Sequence, residues 1–468
     1  MVTLKSFLGM IAAVPFIMAC NQTGQVNATL FPASGSENVN PDTHLVLTFS
    51  ETPVLGDSGM IRVYDAVTDQ VVDSLDLSIP PGPTESRTYG PECDYTKVPY
   101  DYTRTVMPTN KDTRPGTPSG TAEPTPPVYQ LTIIGGFTDA FHFYPVIVRD
   151  SIATIYLHNN MLEYGHTYYV TIDNGVLNLA DGSFQGVTKE DEWVFTTKSD
   201  MPELSDTLIV DVAGKGDFNT VQGALDFIPD FNEQQTVILV NPGDYEELVY
   251  TRNKWHVKIK GAGMADTKVH YANNEVFNPH PLTVKTNEWP GTFPSRRAAF
   301  MLDNCKDIVI EDMTIATDLK GQAEGLLING ERIALYRVHI IGSGDALQAN
   351  GTIYMESCEL DGGGDTILGR GSLFAYKSNF RNGGGPFSWV RNTAGNHGNV
   401  FVECTFSTED GKQADYGRTK SNHGSAYPDA EFVLIDCKVK NIIPEGWSSI
   451  GAKTAKTVSY THLRAHET

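Results

Sequence analysis

Two stretches of the 468-residue chain carry one short pattern, Gly342-Ser343-Gly344-Asp345-Ala346-Leu347 and Gly363-Gly364-Asp365-Thr366-Ile367-Leu368. Each sets an aspartate between a glycine-rich turn and an apolar run, and the two aspartates are 20 residues apart. If one repeat is one coil of a parallel β-solenoid, Asp345 and Asp365 occupy equivalent points on adjacent strands, roughly 4.8 Å apart in backbone spacing. Carboxylates that close cannot ionise independently, so one is driven toward its protonated form. The pair then offers an acid beside a nucleophile.

The surrounding sequence supplies the repeat that this placement needs. Asp312-Met313-Thr314-Ile315, Arg337-Val338-His339-Ile340, Ser357-Cys358-Glu359-Leu360, Lys377-Ser378-Asn379-Phe380, Glu403-Cys404-Thr405-Phe406 and Asp436-Cys437-Lys438-Val439 share one pattern. Their last apolar positions step by 25, 20, 20, 26 and 33 residues, periods that indicate a solenoid. Small Cys or Ser residues at one register predict a tight inward stack, which makes these cysteines core residues. Upstream, Thr220 precedes Val221, Ala224, Leu225 and Ile228 at helical spacing. A short amphipathic helix there would close the open end of the solenoid. The fold class expected is all-β: a right-handed single-stranded parallel β-helix preceded by a β-sandwich.

That sandwich is expected over residues 28–198, where short β-rich runs near 46–49, 61–64, 154–157, 168–172 and 193–196 alternate with turn residues. Its wording, Phe31-Pro32-Ala33-Ser34-Gly35, Leu47-Thr48-Phe49-Ser50 and Trp193-Val194-Phe195-Thr196-Thr197, resembles bacterial Ig-like domains. Eleven of the 26 prolines fall within residues 80–127, so an extended insertion interrupts the module there. The net charge of −22 disfavours nucleic acid as a partner. Lys5 precedes an apolar run over residues 7–18 that is too short to span a bilayer, and Ile17-Met18-Ala19-Cys20 ends it. This resembles a bacterial lipoprotein signal over residues 1–20, with Cys20 lipidated after cleavage. It implies an exported protein, held in a membrane by its lipid and placed in the periplasm or at the cell surface. The other five cysteines lack CxxC spacing, so neither a zinc site nor a disulfide framework is expected.

Residues 208–457 resemble the pectinesterases, carbohydrate esterases of family 8 that remove methyl esters from polygalacturonate. Gly216-Asp217-Phe218 with Thr220-Val221-Gln222 matches the family's opening segment, and Gly243-Asp244-Tyr245-Glu246-Glu247 its G-x-Y-x-E turn. Gln322-Ala323 matches Q-A-x-A-L, Gly344-Asp345-Ala346-Leu347 matches Q-D-T-L, and Gly364-Asp365-Thr366-Ile367-Leu368-Gly369 matches D-F-I-F-G. Tyr416-Gly417-Arg418 falls on L-G-R-P-W. The resemblance implies methyl-ester hydrolysis of pectin or a related uronan, with no cofactor and no metal. Ester hydrolysis requires a nucleophile, an acid for the leaving alcohol, an oxyanion donor and a base for water. Asp365 is assigned as nucleophile, Asp345 as general acid and then base, Gln322 as oxyanion donor and Arg418 as the cation that orients Asp365. Tyr245 and Glu247 read as structural turn residues.

The chain departs from the family pattern beside these residues. Gly344 stands where a second glutamine is usual, leaving Ser343 or Gln348 as possible substitutes. Thr366 and Leu368 replace two aromatic residues, and Thr419 and Lys420 replace Pro-Trp. Phe387, Trp389 and Tyr416 are the candidates to rebuild the sugar-binding surface. The family's closing strands are missing, and residues 459–468 read as a non-native tail on a truncated frame. Two other functions fit a solenoid of this kind: a non-catalytic glycan-binding β-helix, and a chain-cleaving pectate lyase or polygalacturonase.

Overall fold

A computed structural model describes residues 26–83, 129–137, 141–278, 295–392, 394–418, 429–443 and 447–448. The lipidation candidate Cys20, most of the proline-rich insertion and the proposed tail lie outside the described residues.

The first module folds as two β-sheets over one core. Strands Thr29–Phe31, Leu45–Thr48, Ile152–Ile155 and Val146–Arg149 form one sheet. Ser36–Val39, Val194–Thr197, Thr167–Ile172, Met60–Asp65 and Gln70–Asp76 form the other. Alternation explains the pairing: Leu45 and Leu47 from one sheet and Ile61, Val63, Val170, Ile172 and Phe195 from the other point into a shared interior. Where the proline-rich insertion leaves and returns, Gln130 donates its backbone N–H to the Pro80 carbonyl at 2.9 Å, so its two ends are tied together.

The second module is a parallel β-helix whose sheet contains 19 strands. The apolar positions of the sequence repeat stack one upon the next, Ile315 on Ile340, Leu360, Phe380, Phe406 and Val439, in direct register. The first residue of each repeat is a left-handed corner: Asp312, Arg337, Ser357, Lys377, Glu403 and Asp436 have φ of 59°, 52°, 54°, 49°, 54° and 52°. None is glycine, so each corner carries about 1 kcal/mol of backbone strain. Ladder pairing and core packing on both sides hold it in place. Cys358, Ser378, Cys404 and Cys437 follow the corners as a buried column, in which Ser378 Oγ accepts from Cys358 N at 3.0 Å. Burial pushes the Cys358 thiol up to about 11, consistent with a packing role rather than a reactive one.

The expected helix forms as Val221–Phe227, with Thr220 as its N-cap accepting from Gly223 N at 2.9 Å. Val221, Ala224 and Leu225 join the β-helix core beside Leu208 and Ile238, which covers the first coil. Two carboxylates satisfy the free N–H groups at its start. Glu247 accepts from Val221 N at 2.8 Å and Gln222 N at 2.9 Å. Asp42, from the sandwich, accepts from Asn219 N and Thr220 N, both at 2.9 Å. The cap is therefore shared between the modules. Arg149 of the sandwich reinforces the junction by pairing with Glu246 and with Asp318, the latter at 3.2 Å.

Both capping carboxylates are fully desolvated, which raises their pKa values against the opposing pull of the backbone N–H donors; Glu247 is pushed up to about 7. A carboxyl whose folded pKa lies above its unfolded value favours folding below the unfolded pKa and loses that contribution as pH rises through the folded one. Wild-type protein should therefore lose on the order of 3 kcal/mol from Glu247 between about pH 4.5 and pH 8. Urea titrations at pH 5 and pH 8 should show a smaller pH-dependent loss in Glu247→Gln than in wild type.

Candidate active site

Register places the two aspartates. Leu326 pairs with Leu347, Leu347 with Ile367 and Ile367 with Ser388, all parallel. Asp345 and Asp365 each stand two residues before their paired position, so they occupy equivalent points on adjacent coils. The Thr366 carbonyl accepts from both Ala346 N and Leu347 N, at 3.1 and 3.0 Å, tying the two turns together. Both residues are nearly buried, at 8% and 5% exposure, so their charge is weakly screened. Asp365 has φ of 32°, a strained value for a residue with a side chain, at the point where the turn presents its carboxyl.

Gly344 stays bare for a local reason. Its N–H donates to the Gly321 carbonyl at 2.8 Å, and a Cβ there would meet the same oxygen at 2.7 Å. This backbone cannot carry a second glutamine at that point. Ser343 is used by the turn, its Oγ accepting from Gly321 N at 3.1 Å. Gln348 lies three residues beyond Asp345, in register with Leu327 and Leu368, and is buried.

Two charged residues that the sequence reading passed over join this site. Arg297 approaches from the preceding coil and grips Glu324, with Nε at 2.8 and 2.9 Å from its two oxygens and Nη2 at 2.6 Å. The same guanidinium donates from Nη1 to Gln322 Oε1 at 2.5 Å and from Nη2 to Asp345 Oδ2 at 3.0 Å. Glu324 is fully buried and occupies the same ladder position as Asp345, one coil earlier. Burial alone would lower the Arg297 pKa, but the fields of Glu324, Asp345 and Glu275 raise it far above its ordinary value. The i, i+2 spacing of Gln322 and Glu324 was a visible signal; the partner at Arg297 was not.

The remaining candidates divide. Arg418 lies in the short strand Gly417–Arg418, which pairs parallel with Trp447–Ser448, while its side chain lies outside the described residues. Asp415, three residues earlier, bridges to Pro386, which brings this segment onto the coil beyond the aspartate turns. Trp389 stands outward in Ser388–Val390, partly exposed, with the Arg391 guanidinium 4.6 Å from its ring centroid. Tyr416 is half-buried against Phe406 and Phe432 at 6.4 and 6.0 Å. Phe387 is not available to a sugar. It has no exposure and packs edge-on against Phe406 at 5.2 Å inside the core. An aromatic ring serves a core as readily as a sugar surface, and at this position just before the strand the core takes it.

The fold and these residues define a parallel β-helix with a nearly buried, charge-clustered pair of aspartates at its glycine turns, an arrangement suited to acyl transfer. The Pectinesterase family model matches residues 207–466, more than half of the chain. The chain belongs to the pectinesterase family, and is thereby a carboxylic ester hydrolase. It is 26% identical over 282 residues to pectinesterase QRT1 of Arabidopsis thaliana, covering 56% of this chain and 70% of that protein. Probable pectinesterase 49 of the same plant is 24% identical over 262 residues, covering 54% and 68%. Among solved structures, the pectin methylesterase of Aspergillus niger matches with a TM-score of 0.44 and 18% identity, over 54% of this chain and 82% of that one. Pectin methylesterase from carrot matches with a TM-score of 0.42 and 17% identity, over 53% and 78%.

Opposite outcomes are expected for the two aromatic candidates. Phe387→Ala should cost about 3–5 kcal/mol of stability, whereas Trp389→Ala should stay within about 1 kcal/mol. Urea unfolding of the two variants checks this; equal losses would mean that Trp389 is also core.

Proposed function

We propose that the chain hydrolyses the methyl esters of polygalacturonate, releasing methanol and leaving free carboxylates along an uncut polymer. The observation that carries this reading is the register that stacks Asp345 and Asp365 on adjacent coils, within a chain of the pectinesterase family. A pectin methylesterase solved with a hexasaccharide is among the structural neighbours, which is consistent with a uronan substrate.

In the mechanism, an Asp365 carboxylate oxygen attacks the ester carbonyl and forms a tetrahedral oxyanion, which the Gln322 amide stabilises by donating a hydrogen bond. Collapse expels the methoxy group as methanol with a proton from Asp345, and leaves an anhydride between Asp365 and the uronyl carbon. Asp345, now ionised, takes a proton from water. The hydroxide attacks the uronyl carbonyl, releases the uronate and restores Asp365. Arg418 holds the Asp365 carboxylate ionised and oriented. Trp389 and Tyr416 offer aromatic surface to the sugars.

The N-terminal sandwich is read as an Ig-like module that presents the β-helix, and Cys20 as the lipid-bearing residue of an exported protein held at a bacterial outer membrane. Asp365→Asn should abolish methanol release from methyl-esterified pectin while the Tm stays near that of wild type. Size-exclusion chromatography should find the polymer length unchanged by the wild-type protein. Shortened polymer would instead support a chain-cleaving enzyme, and binding without methanol a glycan-binding protein.

A further inference from the structure

We propose that Arg297, anchored by Glu324, is a positioning residue of the ester-hydrolysing site: it fixes which way the Gln322 amide faces and which oxygen of Asp345 carries the transferable proton. This rests on the hydrolytic reading above and extends it to two residues without an assigned role.

The argument begins with donors and acceptors. A guanidinium only donates, so the Gln322 atom facing Arg297 Nη1 has to be the carbonyl oxygen. Rotating the amide by half a turn would set an NH₂ against an N–H. The Nε2 donors are therefore directed away from Arg297 and are free to serve an oxyanion. At Asp345, Oδ2 is held by Arg297 Nη2, so the proton that leaves with methanol belongs on Oδ1. Gly344 offers no side chain as a second donor, and the single amide donor gains most from being held in one orientation.

Glu324 makes the arrangement rigid. Its carboxylate takes the Nε–Nη2 edge of the guanidinium, Oε2 accepting from Nε and Oε1 from Nη2, in the bidentate geometry that arginine favours. A buried ion cluster of this kind gains little stability over apolar packing, because desolvation offsets the Coulomb attraction. Its use is better sought in orientation. Glu275, Glu324 and Asp345 surround Arg297, Tyr250 lies within the field of Glu324, and Asp365 follows on the coil after Asp345.

The test uses the full chain and methanol release from methyl-esterified pectin. Arg297→Ala should lower kcat by about 10²-fold, the loss typical of a misplaced catalytic group, with KM little changed. Its kcat/KM profile should move to higher pH, the basic limb most, because removing the cation makes Asp345 a weaker acid. Arg297→Lys, which keeps the charge without the fork, should recover the pH profile and part of kcat. Glu324→Gln should lower kcat in the same direction. The double variant Arg297→Ala/Gln322→Ala should be no slower than the slower single variant, because both disable one unit. The inference is overturned if Arg297→Ala lowers Tm alone and its folded fraction keeps the wild-type kcat and pH profile. Fully additive losses in the double variant would also overturn it. Wild-type protein that released no methanol would remove the hydrolytic reading as well; wild-type turnover with an unmoved profile removes this inference alone.

Discussion

Parallel backbone pairing at offsets of 20 and 21 residues is the constraint on which the rest of the molecule depends. Leu326, Leu347, Ile367 and Ser388 lie in one column because each coil returns the chain to the same height on the sheet. A slip of one residue would turn every side chain to the other face, taking Asp365 out of line with Asp345. The left-handed corners at Arg337, Ser357 and Lys377 fix where each coil bends, and the Ile340, Leu360 and Phe380 ladder resists slippage through buried area. The site inherits its geometry from this repetition. Its side chains stand at turns held from both sides by regular ladder hydrogen bonds.

Charge is distributed so that this geometry remains chemically useful. Asp345 and Asp365 are almost out of water, which strengthens every neighbouring field. Arg297 pairs with Asp345 and is engaged at the same time by fully buried Glu324. Glu324 holds the guanidinium in place, and the guanidinium in turn fixes one oxygen of Asp345. The far end of the β-helix shows the same use of carboxylates for placement, where Asp42 and Glu247 satisfy the helix N-terminus and Asp42, reaching over from the sandwich, binds the two modules together. Desolvation raises the pKa of both groups, so the capped start of the helix is expected to weaken as they ionise.

Much of this was legible in the sequence, because a solenoid writes its contacts at short, nearly constant separations. The Ile315-to-Val439 column and the Cys358–Ser378–Cys404 stack could be counted from the residues, and the Thr220-capped helix announced itself by spacing. The aspartate pair followed from the same count. What was missed lies where periodicity stops. Phe387 sits one residue before its strand, and its aromatic character alone suggested a sugar surface while packing drew it into the core. Arg297 belongs to an irregular entry to the strand Phe300–Lys306, and nothing in its neighbours announces Glu324, 27 residues on, as its partner. The bareness of Gly344 read as a missing catalytic glutamine; the carbonyl of Gly321 explains it as a requirement of the turn.

The central claim is that the stacked aspartates act through an acyl-enzyme on Asp365. Turnover of methyl-esterified pectin in the presence of hydroxylamine tests it most directly, because an anhydride intermediate is intercepted at either of its carbonyls. Mass spectrometry should find a hydroxamate on Asp365 as well as on the uronate, formed in step with methanol and absent from Asp365→Asn. Methanol released at the wild-type rate with no modification of Asp365, or undiminished in Asp365→Asn, would contradict it.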